Sequence, residues 1–148
     1  MDIGHKRVKE YKIIRKFDKG KSIFKEWIDD TPQQLKKAFE KDFENSKIPR
    51  FIRDILELRR VCDVLLEYTS FIKDVFNYAI AISTFPSISW IDFCNLCSTL
   101  QIPDNKTWTM QTVDRIFIAT NVEIVDQEDN PDKALCRFEF FEILIRLA

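Results

Sequence analysis

Glycine occurs only twice and proline five times in 148 residues. Glycine supplies the positive-φ corners of phosphate-cradling loops and tight hairpins, so neither a nucleotide loop nor a many-stranded sheet has material to be built from. Histidine is scarcer still, with His5 alone. Ser-His-Asp and Cys-His catalysis therefore lack a base held in a core, and a two-histidine metal site is excluded. No run of 18 or more apolar residues occurs, and the first residues contain no continuous apolar stretch. This predicts neither a membrane span nor a signal peptide, and hence an intracellular, soluble protein.

What remains is 45% hydrophobic and 32% charged, the balance of a helical globular chain. Four cysteines in such a chain are expected to be reduced thiols. Cys94 and Cys97 have the spacing of a zinc or redox pair, with Cys62 and Cys136 as further sulfurs. They fall inside a predicted helix without a knuckle turn, which favours small core residues. Net charge is −1 but unevenly spread: residues 1–25 carry nine Lys/Arg against three acids, +6, leaving −7 for the rest. A basic arm with Lys6, Arg7, Lys9, Lys12, Arg15 and Lys16 is expected to meet an anionic surface, such as an acidic protein, a microtubule or nucleic acid.

Apolar spacing sets the helices. Val8, Tyr11, Ile14 and Phe17 paint one stripe, which Gly20 ends. Ser22 can cap a short helix with Ile23, Phe24, Trp27 and Ile28 on its face. Thr31, Pro32 and Gln34 write a capping box for a helix to about Asn45 with Leu35, Ala38, Phe39 and Phe43 inward. Pro49 opens another turn. Asp54 followed by Glu57 marks the start of a long helix near Ile55, with Leu58, Cys62, Leu65, Ile72, Val75, Phe76 and Ala79 inward until Phe85-Pro86 stops it. Ser89 caps a helix of about ten residues presenting Phe93, Leu96, Cys97 and Leu100. Thr109 caps one presenting Val113, Ile116, Phe117 and Thr120, and Phe138–Ala148 forms the last.

A short phrase occurs twice, 47 residues apart, as Ile88-Ser89-Trp90-Ile91-Asp92-Phe93 and Leu135-Cys136-Arg137-Phe138-Glu139-Phe140. Each places an aliphatic residue four positions before an acid, with Phe next and a helical stretch following. This resembles the second half of an EF-hand, in which the eighth loop residue is an aliphatic in a short strand and the twelfth is the acid. The likeness is to the calmodulin-like superfamily, over roughly the second half of the chain. It implies an all-α fold: an N-terminal helical half (1–54) packed on a degenerate EF-hand pair (55–148). Ile88, Asp92, Phe93, Leu135, Glu139 and Phe140 would form the pairing, with a very short antiparallel bridge between Ile88 and Leu135.

Calcium is not expected. Counting back from Asp92, the ligand positions hold Ala81, Ser83 and Phe85, with Pro86 where the loop needs Gly. Counting back from Glu139 gives Glu128, Asn130 and Asp132, but Pro131 intrudes and Lys133 stands in the Gly position. Counted forward from Asn121, that loop is 19 residues long. Other acid pairs, such as Asp29-Asp30 and Glu139 with Glu142, lie where charge is ordinary, so no catalysis and no cofactor are expected.

Thirteen Phe and three Trp, with Trp27, Trp90 and Trp108 near helix starts, leave apolar side chains for a contact surface as well as a core. Phe85–Trp90 and Asn130–Ala148 are also similar to EF-hand-like segments of large protist ciliary and cytoskeletal proteins. That resemblance implies a protein-binding or scaffolding module in a cytoskeletal or ciliary assembly. Its partner would be an amphipathic helix lying in an apolar cleft. The alternatives are a calcium sensor using the 121–139 loop, or a binder of an anionic polymer through the arm.

Overall fold

A computed structural model describes residues 18–22, 25, 30–123 and 133–148. The stripe of Val8 to Phe17, the six basic arm residues, the helix face of Ile23 to Ile28, and Glu128, Asn130 and Asp132 lie outside them.

The described chain is all-α with one two-stranded bridge. Helix α1 spans Pro32–Asn45, α2 Ile48–Phe51, α3 Ile55–Glu67 and α4 Thr69–Ile82. Strand β1 (Ile88–Ser89) leads into α5 (Trp90–Thr99) and α6 (Met110–Asn121), and β2 (Ala134–Leu135) into α7 (Arg137–Leu147). A short 3-10 turn at Lys19–Lys21 precedes them.

Most helix starts follow from side-chain capping of orphan amides. Thr31 Oγ1 accepts from the Gln34 amide at 3.3 Å while Gln34 Oε1 accepts from the Thr31 amide at 2.9 Å, the reciprocal pair that pins α1. Asp54 accepts from the Leu56 and Glu57 amides at 2.8 and 2.9 Å and starts α3. Ser89 and Thr109 do the same for α5 and α6.

The expected single helix from Ile55 to Ile82 is two. It breaks at Tyr68, whose φ of −95° and ψ of 8° leave the helical well. Buried Thr69 supplies the cause: its hydroxyl donates to the Leu65 carbonyl at 2.7 Å, competing with the backbone for that acceptor. The bend lets α3 and α4 each turn an apolar face to the same core.

Helix α7 lies at the centre, packed against α1, α4 and α6. Phe140, Phe141 and Ile143 are fully enclosed. Phe141 meets Phe39 of α1 edge-on at 5.9 Å, Phe140 meets Phe76 of α4 at 5.5 Å, and Phe93 of α5 meets Phe117 of α6 at 5.7 Å. Such pairs add roughly 0.5–1.5 kcal/mol each beyond burial. The one disagreement on the inward face of α5 is Leu100, which is 61% exposed. It is the residue after the last turn, where the chain leaves the core.

Two buried acids join distant segments. Asp42 of α1 accepts a two-pronged contact from Arg137 of α7, at 2.6 and 3.2 Å. Glu142 of α7, with no exposed surface, accepts from the Lys47 amide at 2.9 Å and from Arg146 Nε at 3.0 Å. The Lys47 ammonium lies 3.7 Å from the same carboxylate and donates to the carbonyls of Ala119, Thr120 and Val122 at 2.9, 2.8 and 2.5 Å. Those carbonyls are the orphan acceptors at the end of α6.

Two stability outcomes follow. Lys47→Met strips the ammonium from a buried carboxylate and three carbonyls, and should cost on the order of 3 kcal/mol in urea unfolding. A shift under 0.5 kcal/mol would refute this role. Leu135→Asp places a charge at a site with 0% exposure, and should cost on the order of 3 kcal/mol or more. An unchanged melting temperature would contradict the burial.

Candidate functional site

Strands β1 and β2 pair antiparallel with Ile88 opposite Leu135 and Ser89 opposite Ala134. Ile88 and Leu135 are 1% and 0% exposed, so the bridge is a core element that holds the starts of α5 and α7 side by side. The acid of each phrase occupies the third position of its helix. Asp92 accepts from the Ser83 hydroxyl at 2.5 Å and the Ser89 hydroxyl at 2.6 Å, while the Ser83 oxygen accepts from the Ser89 amide at 3.0 Å. These hydroxyls hold the Asp92 carboxyl below the usual carboxylate range. Glu139 is 2% exposed and accepts from the Cys136 amide at 3.1 Å. Phe93 and Phe140, next in each phrase, are buried in the core.

In the second loop, Asn121 closes α6 and ties the two ends of the segment together. Its Nδ2 donates to the Ala134 carbonyl at 2.8 Å and its Oδ1 accepts from the Lys133 amide at 2.7 Å. Lys133 takes φ 62°, the left-handed conformation that a calcium loop normally gives to Gly. Both of its loop ends are thus fixed by protein groups. Among the described residues no three His, Cys, Asp or Glu side chains gather as a metal cluster.

The cysteines are free thiols. Burial pushes Cys94 and Cys97 up to about 11, with Asp114 adding to the shift at Cys94. Burial and then the Glu139 carboxylate raise Cys136 further. Thiolate, the nucleophile and metal ligand, is therefore scarce at neutral pH.

Among the described residues, one feature with the dimensions of a binding site is an apolar groove. Phe71 and Val75 of α4, Leu96 of α5 with Leu100 just beyond it, and Leu144 and Leu147 of α7 line its walls, over Phe93, Cys97 and Phe140; its volume is about 280 Å³. Every lining side chain is apolar. Phe71, at 66% exposure, and Leu100 form its lips.

Along α4 the groove wall continues as a second stripe, Phe71, Val75, Tyr78 and Ile82, spaced four, three and four apart. That is the three-four spacing that places side chains on one face of a helix. Reading the inward face from Ile72, Val75, Phe76 and Ala79 finds Val75, which is partly buried on the core, but overlooks Phe71, Tyr78 and Ile82, although apolar residues on both sides of α4 were the available signal. From Asp74 to Asn105, the stretch that supplies most of α4 and all of α5, there are three acids and no Lys or Arg.

Comparison with protein-family models, curated proteins and solved structures returns no match. No helix among the described residues is long and apolar enough to cross a membrane.

The Asp92 clasp has a measurable pH signature. A carboxyl held below its unfolded value contributes stability above about pH 4 that is lost as pH falls through the lowered value. Ser83→Ala removes the shorter of the two hydroxyl bonds to Asp92, so the acid-unfolding midpoint should move to higher pH. An unmoved midpoint would show that the hydroxyl contributes nothing.

Proposed function

We propose that this chain is a non-catalytic protein-binding module whose α4–α5–α7 groove receives an amphipathic helix of a partner. The observation that carries this reading is the wholly apolar groove that continues into the exposed α4 seam. Lips that expose Phe71 and Leu100 to water gain on being covered, at about 25 cal/mol per Å² of apolar surface removed. The acid-only stretch Asp74–Asn105 favours a helix with basic flanks.

The same reading treats the second half as a degenerate EF-hand pair. Its support is the twice-written phrase, the Ile88–Leu135 register and the left-handed backbone at Lys133. Calcium sensing finds less support, because the first acid is engaged by two serine hydroxyls and Asn121 by backbone groups. The likeness to segments of protist ciliary and cytoskeletal proteins supports a place in an assembly of that kind. The basic arm is then a separate contact for an anionic polymer.

The test is binding of a fluorescent basic amphipathic helical peptide. Phe71→Asp and Leu100→Asp replace exposed residues and should leave folding intact. Each should weaken binding by about tenfold or more, equivalent to about 1.4 kcal/mol. Micromolar calcium and its chelation should give the same affinity, and deletion of residues 1–20 should leave it nearly unchanged. Unaltered affinity in both groove variants would refute the site. A calcium-dependent affinity would favour the sensor instead.

A further inference from the structure

The apolar stripe on α4 begins on α3. Val64, Tyr68, Phe71, Val75, Tyr78 and Ile82 are spaced four, three, four, three and four apart, on both sides of the break. The Tyr68 amide still donates to the Val64 carbonyl at 3.1 Å and the Ile72 amide to the Tyr68 carbonyl at 2.9 Å, which carries the four-residue register past that point. Val64 and Tyr68 are 53% and 52% exposed, and Tyr78 and Ile82 68% each. The two edges of the stripe differ. The residues that follow its first five members, Leu65, Thr69, Ile72, Phe76 and Ala79, are all buried. The residues that precede its six members, Asp63, Glu67, Ser70, Asp74, Asn77 and Ala81, are all exposed. One residue is a step of about 100° around a helix, so the stripe runs between the core and an outer edge whose charges are acidic only. Those three acids make no ion pair among the described residues. Lys73, the one base between Val61 and Thr84, is paired with Asp30. Arg59 and Arg60 bound the acidic edge upstream, and no charge occurs from Val75 to Ile91.

We propose that the groove's partner is a long helix lying along this stripe, with its Lys or Arg side chains confined to the half over Asp63–Asp74 and an uncharged half over Val75–Ile82. The proposal rests on the groove reading, since Phe71 and Val75 are both groove wall and middle of the stripe. It adds the partner's length, the place of its charge and its contact with α3. Val64 to Ile82 is 18 positions (82 − 64), about 27 Å or five turns at 1.5 Å per residue. Alternating three-four spacing averages 3.5 residues, which keeps one face turned to a neighbouring helix over that length. Charge selects the occupant. Acids beside an apolar strip repel nucleic acid and anionic lipid, and favour a basic edge at the same level. A second copy fits poorly: in parallel it sets each acid against its own kind, and in antiparallel it sets Asp63 and Glu67 against an uncharged half. The chain's own basic segment is too short, because Val8 to Phe17 as a helix would span about 14 Å, half the stripe.

The experiment measures binding of the full chain to labelled helical peptides of about 20 residues that share a three-four leucine stripe and the same number of lysines. The lysines are gathered in the N-terminal half, gathered in the C-terminal half, or spread evenly. A gathered peptide should bind about threefold or more tighter than the spread one, with the difference shrinking in high salt. Val64→Ser/Tyr68→Ser should weaken it about tenfold or more. Asp63→Lys/Glu67→Lys should do the same, and replacing the peptide's lysines by glutamates should restore binding to that variant. All four positions are exposed, and a melting curve for each variant confirms that it folds. Should Phe71→Asp weaken binding while Val64→Ser/Tyr68→Ser does not, the groove reading stands and this proposal alone fails. Binding that ignores Phe71→Asp and Leu100→Asp as well, or no binding at all, removes both. Equal affinity for gathered and spread peptides overturns the placement of charge. A dimer that Val64→Ser/Tyr68→Ser dissolves makes a second copy the occupant. Binding that tightens about tenfold on deletion of residues 1–20 makes it the chain's own basic segment. Either result overturns the proposal.

Discussion

Everything else in this fold is arranged around one carboxylate that has no access to water. Glu142 lies in the middle of α7, and an unpaired carboxylate there would cost several kcal/mol. Its partners come from two directions: Arg146 from its own helix and Lys47 from the junction of α1 and α2. The Lys47 ammonium also closes the C-terminal end of α6, where three carbonyls have no acceptor role within the helix. Lys47 therefore ties the chain just after α1, through its amide, and the end of α6, through its ammonium, to α7. Breaking a pair of this kind is far more damaging than replacing both partners with apolar groups, so its worth lies in specifying one arrangement.

With α7 fixed, the groove follows. Its Leu144 and Leu147 form one wall, while Phe140 beneath them packs on Phe76 and so sets the distance to α4. The break at Tyr68 sets the other side, because it makes α4, which packs on α7, a helix separate from α3. The α2–α3 corner depends on the same knot through Ile48, which is fully buried one residue after Lys47.

Local chemistry was legible in the chain. The Thr31–Gln34 box, the Asp54, Ser89 and Thr109 caps and the short bridge between two aliphatic-to-acid phrases are written within a few residues, and the all-α architecture follows from them. Long-range chemistry was not. Lys47 and Glu142, like Asp42 and Arg137, are 95 residues apart, and nothing in either neighbourhood marks them as partners. The break at Tyr68 escaped because Thr69 is a tolerable helix residue until its hydroxyl turns back to Leu65. For the site, apolar abundance signalled a contact surface, but its location depended on which of two apolar faces of α4 was left uncovered.

The Ser83–Asp92–Ser89 clasp changes the thermodynamics of whatever the groove does. A loop closed by a cation carries a second binding equilibrium, and occupancy of the groove is then tied to the chemical potential of that ion. Here the carboxylate of the first loop is satisfied by hydroxyls that are covalently part of the chain, at an effective concentration no signal can vary. Under the proposed role, the first loop would then add no ion dependence of its own to the binding of a partner, and its contribution would be a fixed one.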